Sequence, residues 1–361
     1  MKILLIDSSY PINTRNNRLI VSLKRYLQNA SIEYIAWNRD GREIAYSDKE
    51  ICIYNVNSAY GNLLSKLFHL IGYYYFLRKN NNLKRPDVII ASHWDMLFLS
   101  SLMKKKEQIL IYEDLDIPTA RKNYLLKLLQ RVETKALKKT DAIIFASRFF
   151  QPLYNSIFAG NKFILENKPL QISHCAASSR LDNKFNIAYI GLVRYADILK
   201  NLIDAVQNNE SVSLFFHGEG QDLKQLKNYA AKSSNIFFTG RYEAEQLPQL
   251  YANADVVWAA YPNKDYNVKF AISNKFHESI AYHIPCIYAE NTLLGDLVVE
   301  KNLGYVVNPY STADIKDCIL HIVSDREDLL KKKTSLSSYE KFEKGWDEQI
   351  QPLLNYLKSL E

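Results

Sequence analysis

The stretch Asn267–Pro309, NVKFAISNKFHESIAYHIPCIYAENTLLGDLVVEKNLGYVVNP, decides the fold. Ser273 to His283 reads as a short helix entered from a polar loop. Pro285 to Glu290 reads as a buried strand. Leu293 to Gly304 reads as a second helix ending at a glycine, and GYVVNP returns as a strand. The first helix sets Lys275 and Glu278 three residues apart, so they share a face, while Phe276 and Ile280 point towards a core. A loop that feeds a helix N-terminus beside a parallel strand is a ready site for a phosphorylated ligand.

Outward from this stretch, bulk properties bound the reading. A chain of 361 residues, 47% hydrophobic and 24% charged, suits two α/β domains. Cys52, Cys175, Cys286 and Cys318 lie far apart and form no C-x-x-C, which suits reduced thiols in a cytoplasmic protein. MKILLIDSSY is too short in apolar length for a signal peptide, and no run reaches a membrane span. The net charge of +7 is uneven: residues 1–168 hold 26 Lys and Arg against 15 Asp and Glu, and residues 169–361 hold 20 against 24. A basic N-terminal half attracts anionic lipid, nucleic acid or acidic glycan. No nucleic-acid motif accompanies it, so nucleic acid is not expected as a partner.

Strands and helices alternate along both halves. KILLID opens as a buried strand, and the loop after it lacks G-x-G-x-x-G, which argues against NAD or FAD. Arg15 and Arg18 follow in what reads as a solvated basic loop. Residues 60–78, YGNLLSKLFHLIGYYYFLR, place apolar side chains at 63, 64, 67, 68, 71, 74 and 75, a helical stripe with a basic edge. Such a stripe packs on a sheet or lies in a membrane interface, and both readings stay open. DVIIASHWDM and ILIYEDLD are strands ending in His93 and Asp95, and in Glu113, Asp114 and Asp116. Ligands of open α/β sheets bind at such ends. A basic helix spans 119–139, and KFILENKP leads to a polar linker, QISHCAASSRLDNK. The second half repeats the alternation with FNIAYIG, VSLFFHGEG and IFFTGRYEAEQLPQLYANADVVW. The tail around Trp346 reads as one or two helices.

Asn274, Lys275, Glu278, Pro285 and Gly304, together with Y-I-G at 189–191 and H-G-E-G at 217–220, resemble the donor-binding region of GT-B glycosyltransferases, especially family 4 and related bacterial polysaccharide enzymes. The likeness is collinear from Tyr189 to Val307. It implies that Glu278 accepts hydrogen bonds from the nucleotide ribose and that Arg194 and Lys200 hold the donor diphosphate. It also implies that Gly191, Gly218 and Gly220 let backbone approach the ligand, that Arg241 and Tyr242 border the base, and that Asn274 and Lys275 complete the donor site. In the first half His93, Trp94, Asp95 and Tyr112 match, with Glu113 and Asp116 at acidic positions. Two departures stand out: Phe270 replaces the first acid of the family's E-x7-E pair, and His283 replaces a glycine. Asp114-Leu115-Asp116 also matches the D-x-D metal motif of GT-A enzymes, which a Rossmann-like second half contradicts, so no metal is expected.

The expectation is therefore an α/β GT-B protein, two Rossmann-like βαβ domains facing each other across a cleft. Residues 1–169 bind acceptor, residues 170–345 bind nucleotide sugar, and a C-terminal helix of about 346–361 crosses back to the first domain. The implied reaction moves a sugar from a nucleoside diphosphate, UDP or GDP not distinguished, to a hydroxyl of a glycan or lipid-linked glycan in surface polysaccharide synthesis. No cofactor is expected. Asp116, Glu113 and His93 are candidate bases, with Arg194 and Lys200 as catalytic cations. Both inversion and retention stay open, and Phe270 favours inversion. Reversible contact with the anionic inner face of the plasma membrane is a further expectation. A non-catalytic partner subunit and a sugar-nucleotide 2-epimerase are the competing readings.

Overall fold

In the computed structural model, residues 1–43, 51–58, 63–119, 123–169 and 184–361 are described, with backbone alone for 63–67. The expected linker with Cys175, and the first residues of the helices expected at 60–78 and 119–139, lie outside the described residues. The chain divides into two compact units, Met1–Asn167 with Trp346–Glu361, and Lys168–Gly345.

The first unit is built on β1 (Lys2–Ile6), α1 (Thr14–Tyr26), β2 (Ser31–Asn38), β3 (Ile51–Asn55), α2 (Leu63–Lys84), β4 (Val88–Ser92), α3 (Trp94–Met103), β5 (Ile109–Asp114), α4 (Asn123–Leu137), β6 (Ala142–Phe145) and β7 (Asn161–Ile164). Its seven strands are parallel, in the order β3-β2-β1-β4-β5-β6-β7. The central strands are apolar runs such as VIIA and AIIF, buried along their whole length because helices cover both faces. After β6, RFFQPLY makes one 3-10 turn over Gln151–Tyr154.

The second unit repeats the plan with β8 (Phe185–Ile190), α5 (Ala196–Val206), β9 (Val212–His217), α6 (Leu223–Tyr229), β10 (Ile236–Gly240), α7 (Leu247–Ala252), β11 (Val256–Ala259), α8 (Asn274–Tyr282), β12 (Cys286–Ala289), α9 (Leu293–Glu300), β13 (Gly304–Val307), α10 (Thr312–Ser324) and α11 (Arg326–Glu340). Its six parallel strands run β10-β9-β8-β11-β12-β13. The helix α9 stops at Glu300, so Gly304 opens the next strand and does not close the helix. Two short helices, α12 (Trp346–Gln349) and α13 (Gln351–Lys358), then join the first unit. Trp346, Ile350, Leu353, Leu354 and Leu357 share one core with Leu19 and Leu23 of α1.

Both sheets reverse their strand order once, between β1 and β4 and between β8 and β11. Loops leaving the C-terminal ends of such a strand pair diverge to opposite faces and leave a crevice.

One expectation about the first unit fails. Arg15 lies in α1 and is buried, with its Nε 3.0 Å from Glu113 Oε1 and its Nη1 donating to the Leu165 carbonyl at 2.5 Å. The basic loop is thus a buried ion pair across the sheet end. The stripe of α2, left open between core and membrane interface, has side chains described from 68 onward: Phe68, Ile71 and Tyr75 are 76%, 60% and 63% exposed, whereas Tyr73 and Leu77, off the stripe, are fully buried. Tyr73 packs in an aromatic cluster with Trp37, Tyr54 and Phe76. A helix with apolar residues on nearly every face does not reveal by periodicity which face is inward.

Candidate active site

In the second unit the crevice at β8 and β11 collects the residues that could hold an anion. Lys275, second residue of α8, is 7% exposed. Its Nζ lies 5.5 Å from the centre of the Tyr189 ring and 5.9 Å from that of Tyr261. It forms no ion pair among the described residues. Burial opposes its charge, but Tyr261, Glu278 and Tyr189 outweigh burial and raise its pKa. An ammonium so held stays charged, at the helix end where backbone N–H groups already favour negative charge.

Gly191 explains how the lysine reaches the turn. With φ at +131°, it would place a Cβ 3.1 Å from Lys275 Nζ. Gly218 and Gly220 are also demanded by packing. A Cβ on Gly218 would stand 1.9 Å from the Gly191 carbonyl oxygen, and one on Gly220 would stand 2.1 Å from that of Val193. These glycines let two turns pack backbone to backbone, extending the sheet through Val193 N–H to Glu219 O. They hold the 191–195 turn against the 218–220 turn as the floor of the crevice.

Glu278 lies one turn into α8 from Lys275 and accepts the Tyr251 hydroxyl at 2.7 Å. Tyr242 is close enough that burial first, and then Glu278, raises its pKa. Arg194 is exposed on the 191–195 turn, its guanidinium 4.8 Å from the Tyr195 ring centre. Asn274, at the first position of α8, and Arg241, after β10, are both exposed. Lys200 is turned away from this group. Its Nζ lies 5.3 Å over the Tyr229 ring, whose hydroxyl bonds Asp204 at the far end of α5. The two family departures also have places. Phe270 meets Tyr266 edge to face at 5.3 Å. His283 is the left-handed C-cap of α8, φ +54°, with Nε2 2.8 Å from Glu340. That conformation is why glycine is common at such caps.

In the first unit the matching crevice lies at β1 and β4. His93 follows β4, is half-buried and caps α3 at φ +71°, ψ 155°. Almost only glycine adopts that conformation without strain, and strained residues concentrate at functional positions. Beside it stands Asp7, a residue that sequence reasoning missed. It is fully buried and accepts from Asn16 at 2.6 Å, Asn13 at 2.8 Å and Ser9 at 3.0 Å. Burial raises the Asp7 pKa, and His93 acts to lower it. An acid closing the first buried strand was the available signal. Glu113 is corrected as a candidate base. It is fully buried, bound to Arg15 and to the Ser92 hydroxyl at 2.5 Å, so no substrate proton reaches it.

Asp116 is exposed beyond β5, whereas Asp114 is buried against Tyr112, so the D-x-D acids do not converge. No group of three or more His, Cys, Asp or Glu able to hold a metal occurs among the described residues.

Comparison with known proteins agrees with this geometry. Solved structures align over the whole chain. HepE of Anabaena in complex with UDP is 16% identical, covering 99% of this chain and 100% of its own, with a TM-score of 0.73. Sucrose-phosphate synthase of Thermosynechococcus elongatus is 13% identical over 99% and 98%, with a TM-score of 0.78. The fold is GT-B. WaaG, a glycosyltransferase involved in lipopolysaccharide biosynthesis, shares this GT-B fold at 11% identity over 99% of each chain, with a TM-score of 0.71. Residues 184–325, all in the second GT-B unit, match the family model described as glycosyl transferases group 1. No curated protein matches the chain.

Proposed function

We propose that the protein is a glycosyltransferase that moves a sugar from a nucleoside diphosphate to a hydroxyl of a glycan or lipid-linked glycan, in surface polysaccharide synthesis. The observation that carries this reading is Lys275, a buried ammonium without an ion pair among the described residues, at a helix N-terminus beside Gly191. Tyr261, Glu278 and Tyr189 keep that ammonium charged, and a fixed positive charge at a helix N-terminus attracts an anion. A diphosphate supplies it, and Glu278, one helical turn away, suits a ribose hydroxyl. The family match over 184–325 supports the same assignment. HepE has been crystallised with UDP-glucose, which makes uridine nucleotides the first donors to test.

Charge develops on the departing diphosphate as the glycosidic bond breaks. Fixed cations then stabilise the transition state more than the ground state. Lys275, with Arg194 and the N–H groups of the first turn of α8, takes this role, and the proposed reaction needs no metal. An aromatic residue at position 270 leaves no carboxylate there for the donor sugar, so inversion is the proposed outcome. Inversion requires a base for the acceptor proton. His93 suits it because it is half-exposed, strained and backed by Asp7, and Asp116 is the second candidate.

The test is calorimetric titration with UDP and GDP. Lys275→Met should weaken binding of the preferred nucleotide by about 2 kcal/mol, the scale of a charge-assisted hydrogen bond. Unchanged affinity in this variant would remove the diphosphate assignment.

A further inference from the structure

One face of the first unit has a composition that the donor reaction does not use. The helix α3 lies between α2 and α4 and packs against both. The outward side chains of these helices include Phe68, Ile71, Tyr75, Leu83, Tyr124 and Leu128, all at least half exposed. Between them stand Arg78 and Lys79 of α2 and Lys127, Arg131 and Lys135 of α4, also exposed. The three helices contain two carboxylates, Asp95 and Glu133, and both are buried. The exposed charge on this face is therefore of one sign.

Aromatic and aliphatic side chains set among uncompensated cations match a layer that is negative at its surface and apolar beneath. A soluble acidic partner would satisfy the cations but not the apolar residues. A second copy of the chain would bury the apolar residues but oppose like charges. An anionic bilayer satisfies both, with tyrosine and phenylalanine at the headgroup boundary and lysine and arginine above it. None of the described helices is long and apolar enough to cross a membrane. We propose that the α2–α4 face docks reversibly on anionic membrane. This extends the proposed function by placing a lipid-linked acceptor at the same surface.

The experiment is co-sedimentation of the full chain with phosphatidylcholine vesicles and with vesicles containing about one third phosphatidylglycerol, at low and high salt. UDP titration on the same samples keeps the donor reading separate. Wild type should sediment with anionic vesicles at low salt and lose most of that binding at high salt. Ile71→Ser with Tyr75→Ser, and separately Lys127→Glu with Arg131→Glu, should each lower the bound fraction at least about tenfold, since apolar burial and charge both contribute. All four residues are exposed, so the melting temperature and UDP affinity should stay at wild-type values. Equal, negligible sedimentation with both vesicle types would overturn the docking proposal while leaving donor binding intact. So would undiminished binding by both double variants. Dimerisation in solution that the Ile71→Ser, Tyr75→Ser variant abolishes would assign the face to a second copy instead.

Discussion

In the proposed donor site Glu278 stands one helical turn from Lys275, and the carboxylate carries a constraint of its own. One oxygen is held by the Tyr251 hydroxyl at 2.7 Å, and Tyr251 is fully buried against Tyr282. That bond fixes the direction in which the second oxygen meets a ligand. Glu278→Gln keeps the shape and loses the charge, so nucleotide affinity should fall by about 1–3 kcal/mol. Titration of nucleoside diphosphate into the variant checks this, and wild-type affinity would exclude a ribose contact. The cations separate in the same manner. Arg194 lies on the turn of the crevice, whereas Lys200 holds α5 to α6 through Tyr229. Arg194→Ala should lower kcat more than it weakens donor binding, because the diphosphate gains charge as the bond breaks. Lys200→Ala should leave kcat unchanged and cost about 0.5–1 kcal/mol of stability, the worth of an exposed cation–π contact. Steady-state kinetics and urea melts on both variants decide between them. A kcat loss in Lys200→Ala equal to that of Arg194→Ala would restore the role the family resemblance gave it.

At the scale of elements, the two glycine turns of the second unit make a sharp contrast. Gly218→Ala forces a Cβ to within 1.9 Å of the Gly191 carbonyl, whereas Gly240, at φ +80°, has open space around it. The first substitution should cost about 3 kcal/mol and the second about 1 kcal/mol, which denaturant midpoints would resolve. Equal costs would mean that the 191–195 turn yields easily and is not a fixed floor. In the first unit, Asp114 of β5 and Glu133 of α4 share the Tyr112 hydroxyl, at 3.1 and 2.9 Å, and Tyr154 donates to Glu133 at 2.8 Å. Burial raises both carboxyls, Glu133 to about 6 from an ordinary 4.5, with the Glu133 charge also pushing Asp114 up. A raised carboxyl binds its proton more tightly in the folded chain. Its contribution is full below about pH 4.5 and is lost as pH rises through about 6, a change of roughly 2 kcal/mol. Glu133→Gln should flatten that part of the stability profile, read as wild type minus variant in urea melts from pH 4.5 to 7. A difference that does not change with pH would refute it. The strands were legible because runs such as VIIA and AIIF need burial on both faces. The direction of the α2 stripe was not, since YYYF offers an apolar side chain to every side. The Arg15–Glu113 pair was not either: its partners stand 98 residues apart, a separation that no local pattern reports.

Over the whole molecule, the sequence showed two alternating βα halves, and the tail is where tertiary structure added most. Trp346 is buried, donates its Nε1 to the Ser22 hydroxyl at 2.8 Å and lies under the guanidinium groups of Arg15 and Arg18. A tryptophan that follows the second unit in sequence thus belongs to the core of the first. Its partners on α1 lie more than 300 residues earlier, so no local pattern in the tail reports this packing, and the return to the first unit was expected only from the resemblance to GT-B enzymes. Division into units predicts how the protein melts. Trp346→Ala removes a large buried side chain and a hydrogen bond from the first unit, and should cost about 3–5 kcal/mol there, lowering its transition by roughly 10 °C. Nucleoside diphosphate bound at the proposed site of Lys275 and Glu278 would stabilise the second unit by mass action, about 2.7 kcal/mol at a hundredfold excess over Kd. Scanning calorimetry should therefore show two transitions, one moved by Trp346→Ala and the other by nucleotide. If nucleotide raised both transitions equally in wild type and in Trp346→Ala, the units would unfold as one cooperative body, and donor binding would stabilise the whole chain instead of the second unit alone.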